Sequence, residues 1–321
     1  MSSYFTEGEV SYSSFVNFKI KEFFSKKNNG VLFGQNIISG SRISGLGSGL
    51  DKLDNVKAIN STNSENSLMG LGLGLTLGCV PAIFLMKQHD FALLGLDQLT
   101  NTVNLISSKG FKESFIVLMI VVDSGFEGPQ ASLNNIDDFA SLTRSNVHLL
   151  NSKESIDKAF KSAELPGLHM MVLSQKSMKK LMVNALVGAQ KIGNLIKYSR
   201  NNSNLESENL VVFTGVNLEF INNIDKLALM FEVILDVMLV CNISPDDKFD
   251  YNIYLNRYKK IAIIHDSKSL FTASHYLSTK LDNTNKSIKV FNRQASEIWS
   301  TTNLDEPEYQ AQEVFDFFAG D

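Results

Sequence analysis

Residues Ile59 to Phe91 read INSTNSENSLMGLGLGLTLGCVPAIFLMKQHDF, and the fold turns on this stretch. Its middle, positions 68–86, runs nineteen residues without a charge, which nearly meets the length of a membrane-spanning helix. Pro81 breaks such a helix, Gly70, Gly72, Gly74 and Gly78 weaken it, and no second span follows. The reading that fits is a buried helix to about Gly78, a turn at Pro81 and a buried strand over Ala82–Met86. A helix feeding an apolar strand is a piece of an α/β fold.

The same rhythm extends both ways. Downstream, Ala92, Leu96, Leu99, Val103 and Ile106 recur at helical spacing with Asp97, Gln98, Asn101 and Asn104 between them, which predicts an amphipathic helix over 92–106. Phe115–Val122 (FIVLMIVV) reads as a central parallel strand covered on both faces. Gly125 to Pro129 is then a loop at the carboxyl end of that strand, where open α/β sheets place ligands. A helix from Ile136 and a strand over His169–Leu173 follow. Met178, Met182, Ala185, Ala189, Ile192 and Ile196 predict a second long helix. Upstream lie a helix over 14–27, a strand over Val31–Gly34 and a Gly/Ser loop over 38–50 whose glycines lack dinucleotide-binding spacing.

Residues 200–209 (RNNSNLESEN) form the best linker. Beyond it strands at Leu210–Thr214, Val233–Val240, Ile261–Ile264 and Ile288–Phe291 alternate with helices near 221–230, 249–258 and 271–281. The expectation is an α/β chain with two parallel-sheet domains, residues 1–199 and a smaller one over 208–321.

Bulk properties narrow the class. With 321 residues, 44% apolar and 20% charged, the chain can bury two cores. Thirty basic against 34 acidic side chains leave a net charge of −4, which gives no footprint for nucleic acid or an anionic membrane. Cys79 and Cys241, far apart in apolar surroundings, read as reduced, buried thiols of a cytosolic protein. The five histidines show no metal-ligand spacing, and the N-terminus lacks the features of a signal peptide. No nucleophile elbow, phosphate loop or zinc helix is present.

What stands out chemically is Glu65, placed after Asn63 and Ser64 at the start of the glycine-rich helix. Desolvation there favours the neutral acid, whereas the helix dipole favours the carboxylate. One reading is an N-cap formed by Asn63, Ser64 or Glu65; the other is a proton-handling group.

The order of segments then resembles the beta subunit of the decarboxylating component of 2-oxo-acid dehydrogenases and, more distantly, the C-terminal half of transketolases. The resemblance spans nearly the whole chain. It is carried by Val31 to Asn36, by Asn60 to Gly78, by Cys79 to Met86, by His89-Asp90-Phe91 with Leu96 to Leu99, and by Gly125 to Ser132 (GFEGPQAS). Ile243-Ser244-Pro245-Asp246 and Ile263-Ile264-His265-Asp266 continue it in the second half. It implies a thiamine diphosphate pyrimidine-binding domain followed by a transketolase C-terminal-like domain.

It also implies roles. Glu65 would hydrogen-bond the cofactor's pyrimidine ring and favour the imino tautomer that deprotonates the thiazolium, a task for a carboxyl able to share a proton near neutral pH. Asn63 and Ser64 flank it. Phe91 would stack on the pyrimidine, or is simply a core phenylalanine. His89 stands where the family has a small or apolar residue, and is either an extra acid–base group or a surface histidine. Gly128, Pro129, Gln130 and Ala131 would form the substrate loop, although Gly-Pro is also a turn signal. Ala131 replaces a family histidine that handles the acyl intermediate, which counts against ordinary lipoyl transfer. Leu270 and Phe271 replace family glycines.

The family's magnesium signature, Gly-Asp-Gly followed by Asn, is missing here; Gly320-Asp321 is the one Gly-Asp pair. The implication is an alpha-type partner subunit that supplies Mg2+ ligands and the diphosphate site, with no metal ligand in this chain. Self-association along the 92–106 helix is expected beside such a shared site. Substrates would be 2-oxo acids or sugar phosphates. Ketol transfer or carboligation is the alternative chemistry, and a non-catalytic scaffold the alternative of another class.

Overall fold

A computed structural model of the chain describes residues 5–123, 134–185, 188–199, 207–217, 219–244, 247–267, 269, 277–279, 281, 286–292 and 311–320. Strand β1 (Phe5–Ser11) leads into helix α1 (Tyr12–Ser25), whose N-cap Ser11 accepts the Ser14 N–H at 3.2 Å. Strands β2 (Gly30–Gly34) and β3 (Val56–Asn60) enclose the Gly/Ser loop. Helix α2 (Glu65–Leu77) and strand β4 (Ala82–Met86) follow, separated at Pro81 as the sequence predicts; Cys79, in the turn between them, is exposed rather than buried, whereas Cys241 is buried. Among the described residues no helix is long and apolar enough to cross a membrane.

The predicted helix over 92–106 is broken into a 3-10 turn (His89–Gly95), a π turn (Gln98–Thr102) and the short helix α3 (Val103–Lys109). Its apolar stripe faces inward. Ala92, Leu99, Val103 and Ile106 are buried in the chain's own core, and Leu96 packs half-buried against them. The stripe is therefore not the surface for self-association that its spacing suggests. The outward apolar residues here are Leu93, Leu94 and Leu105, with Leu71 and Leu77 on α2.

Strand β5 (Ser114–Val121) is buried at every position, and α4 (Ile136–Thr143), β6 (Val147–Leu149), α5 (Lys153–Ser162) and β7 (Gly167–Ser174) complete the first unit. Its sheet runs β6-β7-β5-β4-β2-β3 with all strands parallel. Helices α1 and α5 cover one face, and α2, α3 and α4 the other. Gly72 lets α2 lie close on this sheet, because a Cβ there would sit 2.1 Å from Phe115 Cζ.

The predicted long helix over 178–196 is instead three strands. Strand β8 (Leu181–Ala185) pairs antiparallel with β1, and β9 (Ala189–Ile192) and β10 (Leu195–Tyr198) form a hairpin. Ile192 opposite Leu195 leaves a two-residue Gly193-Asn194 turn, with Gly193 at φ +55°, the left-handed region that glycine tolerates. The local turn chemistry overrides an accidental helical spacing.

The second sheet is built from that hairpin with β11 (Asn209–Thr214), β12 (Asp236–Val240), β14 (Lys260–His265) and β15 (Ser287–Asn292). Its order is β15-β14-β11-β12-β10-β9, parallel except for the antiparallel hairpin. The second unit thus begins near residue 189, ahead of the polar stretch that reads as a linker. Helices α6 (Glu219–Met230) and α8 (Ala311–Ala319) pack together on it, whereas α7 (Asn252–Leu255) is a single turn. Strand β13 (Asn242–Ile243) leaves the second unit and pairs antiparallel with β6 at the edge of the first sheet. The two sheets also share one apolar cluster, in which Phe139 and Leu149 join Leu210, Val212 and Met238.

Candidate functional site

The carboxyl ends of β2, β3 and β4 bring Gln35, Glu65 and His89 to one edge of the first sheet. Gly34, at φ +151°, ends β2 where a Cβ would meet Leu85 O at 2.2 Å. The chain therefore turns out of the sheet against β4. Asn60 organises the turn that follows: its Oδ1 accepts the N–H groups of Ile37 and Ile38 at 2.9 and 3.1 Å, and Ser61 N–H donates to Gly34 O at 2.9 Å.

Glu65 opens α2 and is only 6% exposed. Gln35 Nε2 donates to its Oε1 at 3.2 Å. The capping reading places the cap one residue earlier, at Ser64, whose hydroxyl instead donates to Ser67 Oγ at 2.9 Å and caps no backbone N–H. Glu65 is thus not spent on its own helix, and Oε2 makes no hydrogen bond among the described residues. Asn63 and Ser64 are exposed beside it.

His89 is fully buried, so the surface reading of this residue is wrong. Its ring meets Phe139 of α4 edge-on at 4.6 Å, and neither ring nitrogen has a hydrogen-bond partner among the described residues. Desolvation lowers its pKa to about 4, which leaves it a neutral imidazole at pH 7. Such a ring offers one donor and one acceptor and is better suited to hydrogen-bond a bound molecule than to carry charge. Phe91 is half-buried against the core. The 3-10 turn bearing both residues abuts the start of α2, since a Cβ at Gly95 would sit 2.6 Å from Met69 Cγ and 3.5 Å from Glu65 O.

Gly128, Pro129, Gln130 and Ala131 lie outside the described residues, as do Pro245, Asp246, Leu270 and Phe271. No group of three or more histidine, cysteine or acidic side chains able to hold a metal occurs among the described residues. Reading the sequence missed Gln35 and Phe139. The signal for Gln35 was available, because it follows directly on a buried strand; that for Phe139 was not, because it depends on where α4 docks.

The arrangement of a parallel sheet joined to a second, mixed sheet is a fold found among solved structures. A solved split-gene transketolase, an inactive beta4 tetramer, superposes with a TM-score of 0.66 over 97% of this chain and 98% of that chain at 12% identity. At that identity the likeness is one of fold. No protein-family model and no curated protein sequence matches the chain.

Proposed function

We propose that this chain is the beta-type subunit of a heteromeric thiamine-diphosphate enzyme that acts on the carbon–carbon bond next to a carbonyl. The observation that carries the reading is Glu65, a buried carboxyl whose one hydrogen bond among the described residues comes from Gln35, on the same sheet edge as His89, whose ring nitrogens are unbonded. Buried polar atoms are normally satisfied, and both ring nitrogens of His89 are an exception. A ring with both donor and acceptor nitrogens, such as an aminopyrimidine, fits that pair.

Bound thiamine diphosphate would supply the electron sink for the cleavage. Glu65 would hold or share a proton with the pyrimidine through Oε2 while Gln35 fixes Oε1. Phe91 would lie against the ring, and His89 would hydrogen-bond as a neutral group. An alpha-type partner would bring the Mg2+ and diphosphate ligands, for which this chain has no candidate among its described residues. Ketol transfer or carboligation on sugar phosphates is favoured over 2-oxo-acid decarboxylation with lipoyl transfer. Both Ala131 and the neighbour's description as a transketolase support that preference.

The test is Glu65→Gln in the complex with the partner chain. Thiazolium proton exchange, followed by NMR, should slow by about 10² or more, the scale for a positioned acid–base group. Exchange at the wild-type rate would remove the catalytic role. Calorimetry of this chain alone should show no micromolar magnesium-dependent binding of thiamine diphosphate; such binding would overturn the two-subunit arrangement.

A further inference from the structure

A cavity of about 420 Å³ opens between the two units on the α1 and α5 face of the first sheet, the face away from α2 and Glu65. That size suits a small metabolite. Tyr12, Asn151, Ser177 and Lys180 line it from the first unit, and Asn217, Asn222, Asn223 and Lys226 from the second, before and along the first two turns of α6.

The polar groups here are unevenly used. Asn151 is only 2% exposed; its Nδ2 donates to Gly215 O at 2.9 Å and Val240 O at 2.8 Å, which fixes the amide. Its Oδ1 is buried with no hydrogen-bond partner. Asn217 Oδ1 accepts the Glu219 N–H at 3.1 Å, and Lys180 pairs with Glu219 at 2.6 Å across the cavity rim. Glu219 thus offsets Lys180, and Lys226 remains as an exposed ammonium with no hydrogen bond or ion pair among the described residues. The side chains of Ser177, Asn222 and Asn223 are likewise unbonded there. A lone acceptor at the back, amides that both donate and accept along the wall and net positive charge at the mouth describe a complementary ligand. It carries hydroxyls to donate to Asn151 and the asparagines, and an anionic group for Lys226.

We propose that this interdomain cavity binds a small hydroxylated anion, a phosphorylated or carboxylated polyol, at a site separate from Glu65. Because both units line it, an occupant would brace one against the other. This inference does not depend on the thiamine diphosphate reading.

The experiment is isothermal titration of the full chain with sn-glycerol 3-phosphate, D-glycerate, inorganic phosphate and glycerol. The expected result is saturable binding of one or both hydroxylated anions, at least about 10-fold tighter than phosphate or glycerol, a gap of about 1.4 kcal/mol. Whichever of the two binds tighter names the anionic group. Lys226→Glu, a change at an exposed site that folding tolerates, should weaken that binding about 10-fold or more. Asn222→Ala with Asn223→Ala should bring the hydroxylated anion down to the level of inorganic phosphate. Glu65→Gln should leave it unchanged, which separates this site from the one at α2. No saturation by either hydroxylated anion overturns the proposal. So does phosphate binding as tightly as glycerol 3-phosphate, or binding indifferent to Lys226→Glu, since either would mark a diffuse basic patch.

Discussion

Two buried polar clusters of this chain are closed to different degrees. At the seam between the units, donors are placed on acceptors of the opposite unit: Asn151 on the Gly215 and Val240 carbonyls, Ser267 Oγ on Asn134 O at 2.8 Å, and Asn134 Nδ2 on Asp266 O. His265 adds an approach of 3.1 Å to Asp137. At the carboxyl edge of the first sheet, His89 bonds to nothing and Glu65 only to Gln35. Burial costs free energy in both places; the seam recovers part of it through these cross-unit bonds, although Asn134 Oδ1 and Asn151 Oδ1 stay unbonded there too among the described residues, whereas His89 recovers none. Side chains bonded across the seam hold the two units together, whereas His89 adds no hydrogen bond to the fold. Substitutions at the two should therefore have opposite effects on stability.

The largest effect belongs to the seam. Asn151→Ala leaves two inward carbonyls without their donor and should cost about 3–4 kcal/mol, read as a lower urea midpoint. A loss under about 1 kcal/mol would mean that the seam is not closed by this amide. Next comes acid lability from His89. Its folded pKa of about 4 lies below the ordinary value of 6.5, so between those values the unfolded chain takes up a proton that the folded chain refuses. Stability is complete above about pH 6.5 and falls by up to about 3 kcal/mol as the pH drops to 4. His148, pushed to about 3 by burial, pulls in the same direction. His89→Leu should flatten the His89 part of this slope, and a profile identical to wild type would refute the assignment.

At pH 7 the same His89→Leu substitution replaces an unbonded imidazole with an apolar side chain. It should raise the unfolding free energy of the free chain by about 1–2 kcal/mol, read as a higher urea midpoint. A stability loss there would place His89 among the structural residues. The smallest effect is expected at Lys180–Glu219, a cross-unit ion pair about half exposed on both sides. Glu219→Gln should change stability by less than about 0.5 kcal/mol, and the wild-type midpoint should respond little to added salt.

The helix–turn–strand unit around Pro81 was legible in sequence because breaker and burial agree there, and so was Glu65, because a carboxylate beside an apolar run is rare. The hairpin 189–198 was not. Apolar residues four and three apart happen to mimic a helix, and the Gly193-Asn194 turn was the stronger local signal. The inward aim of Ala92, Leu99, Val103 and Ile106 was likewise beyond periodicity, which identifies an apolar face without saying whether a neighbouring element or a partner covers it. Phe139 and the Asp137–His265 approach join residues distant in the chain, so only the docking of α4 against the second unit brings them together.

The loan of β13 to the first sheet has a consequence for dissection of the gene. A truncation within the polar stretch 200–206 looks safe on the page, but it would strip β6 of its antiparallel neighbour and leave an open ladder of backbone donors and acceptors. The same cut carries β9 and β10 away from β12, the strand on which they close. Each fragment would thus be born with a sticky margin, prone to recruit the missing strand from a second molecule. The chain is divisible in outline but not in hydrogen bonding, and an expression boundary that respects the fold must keep 189–243 with both sheets.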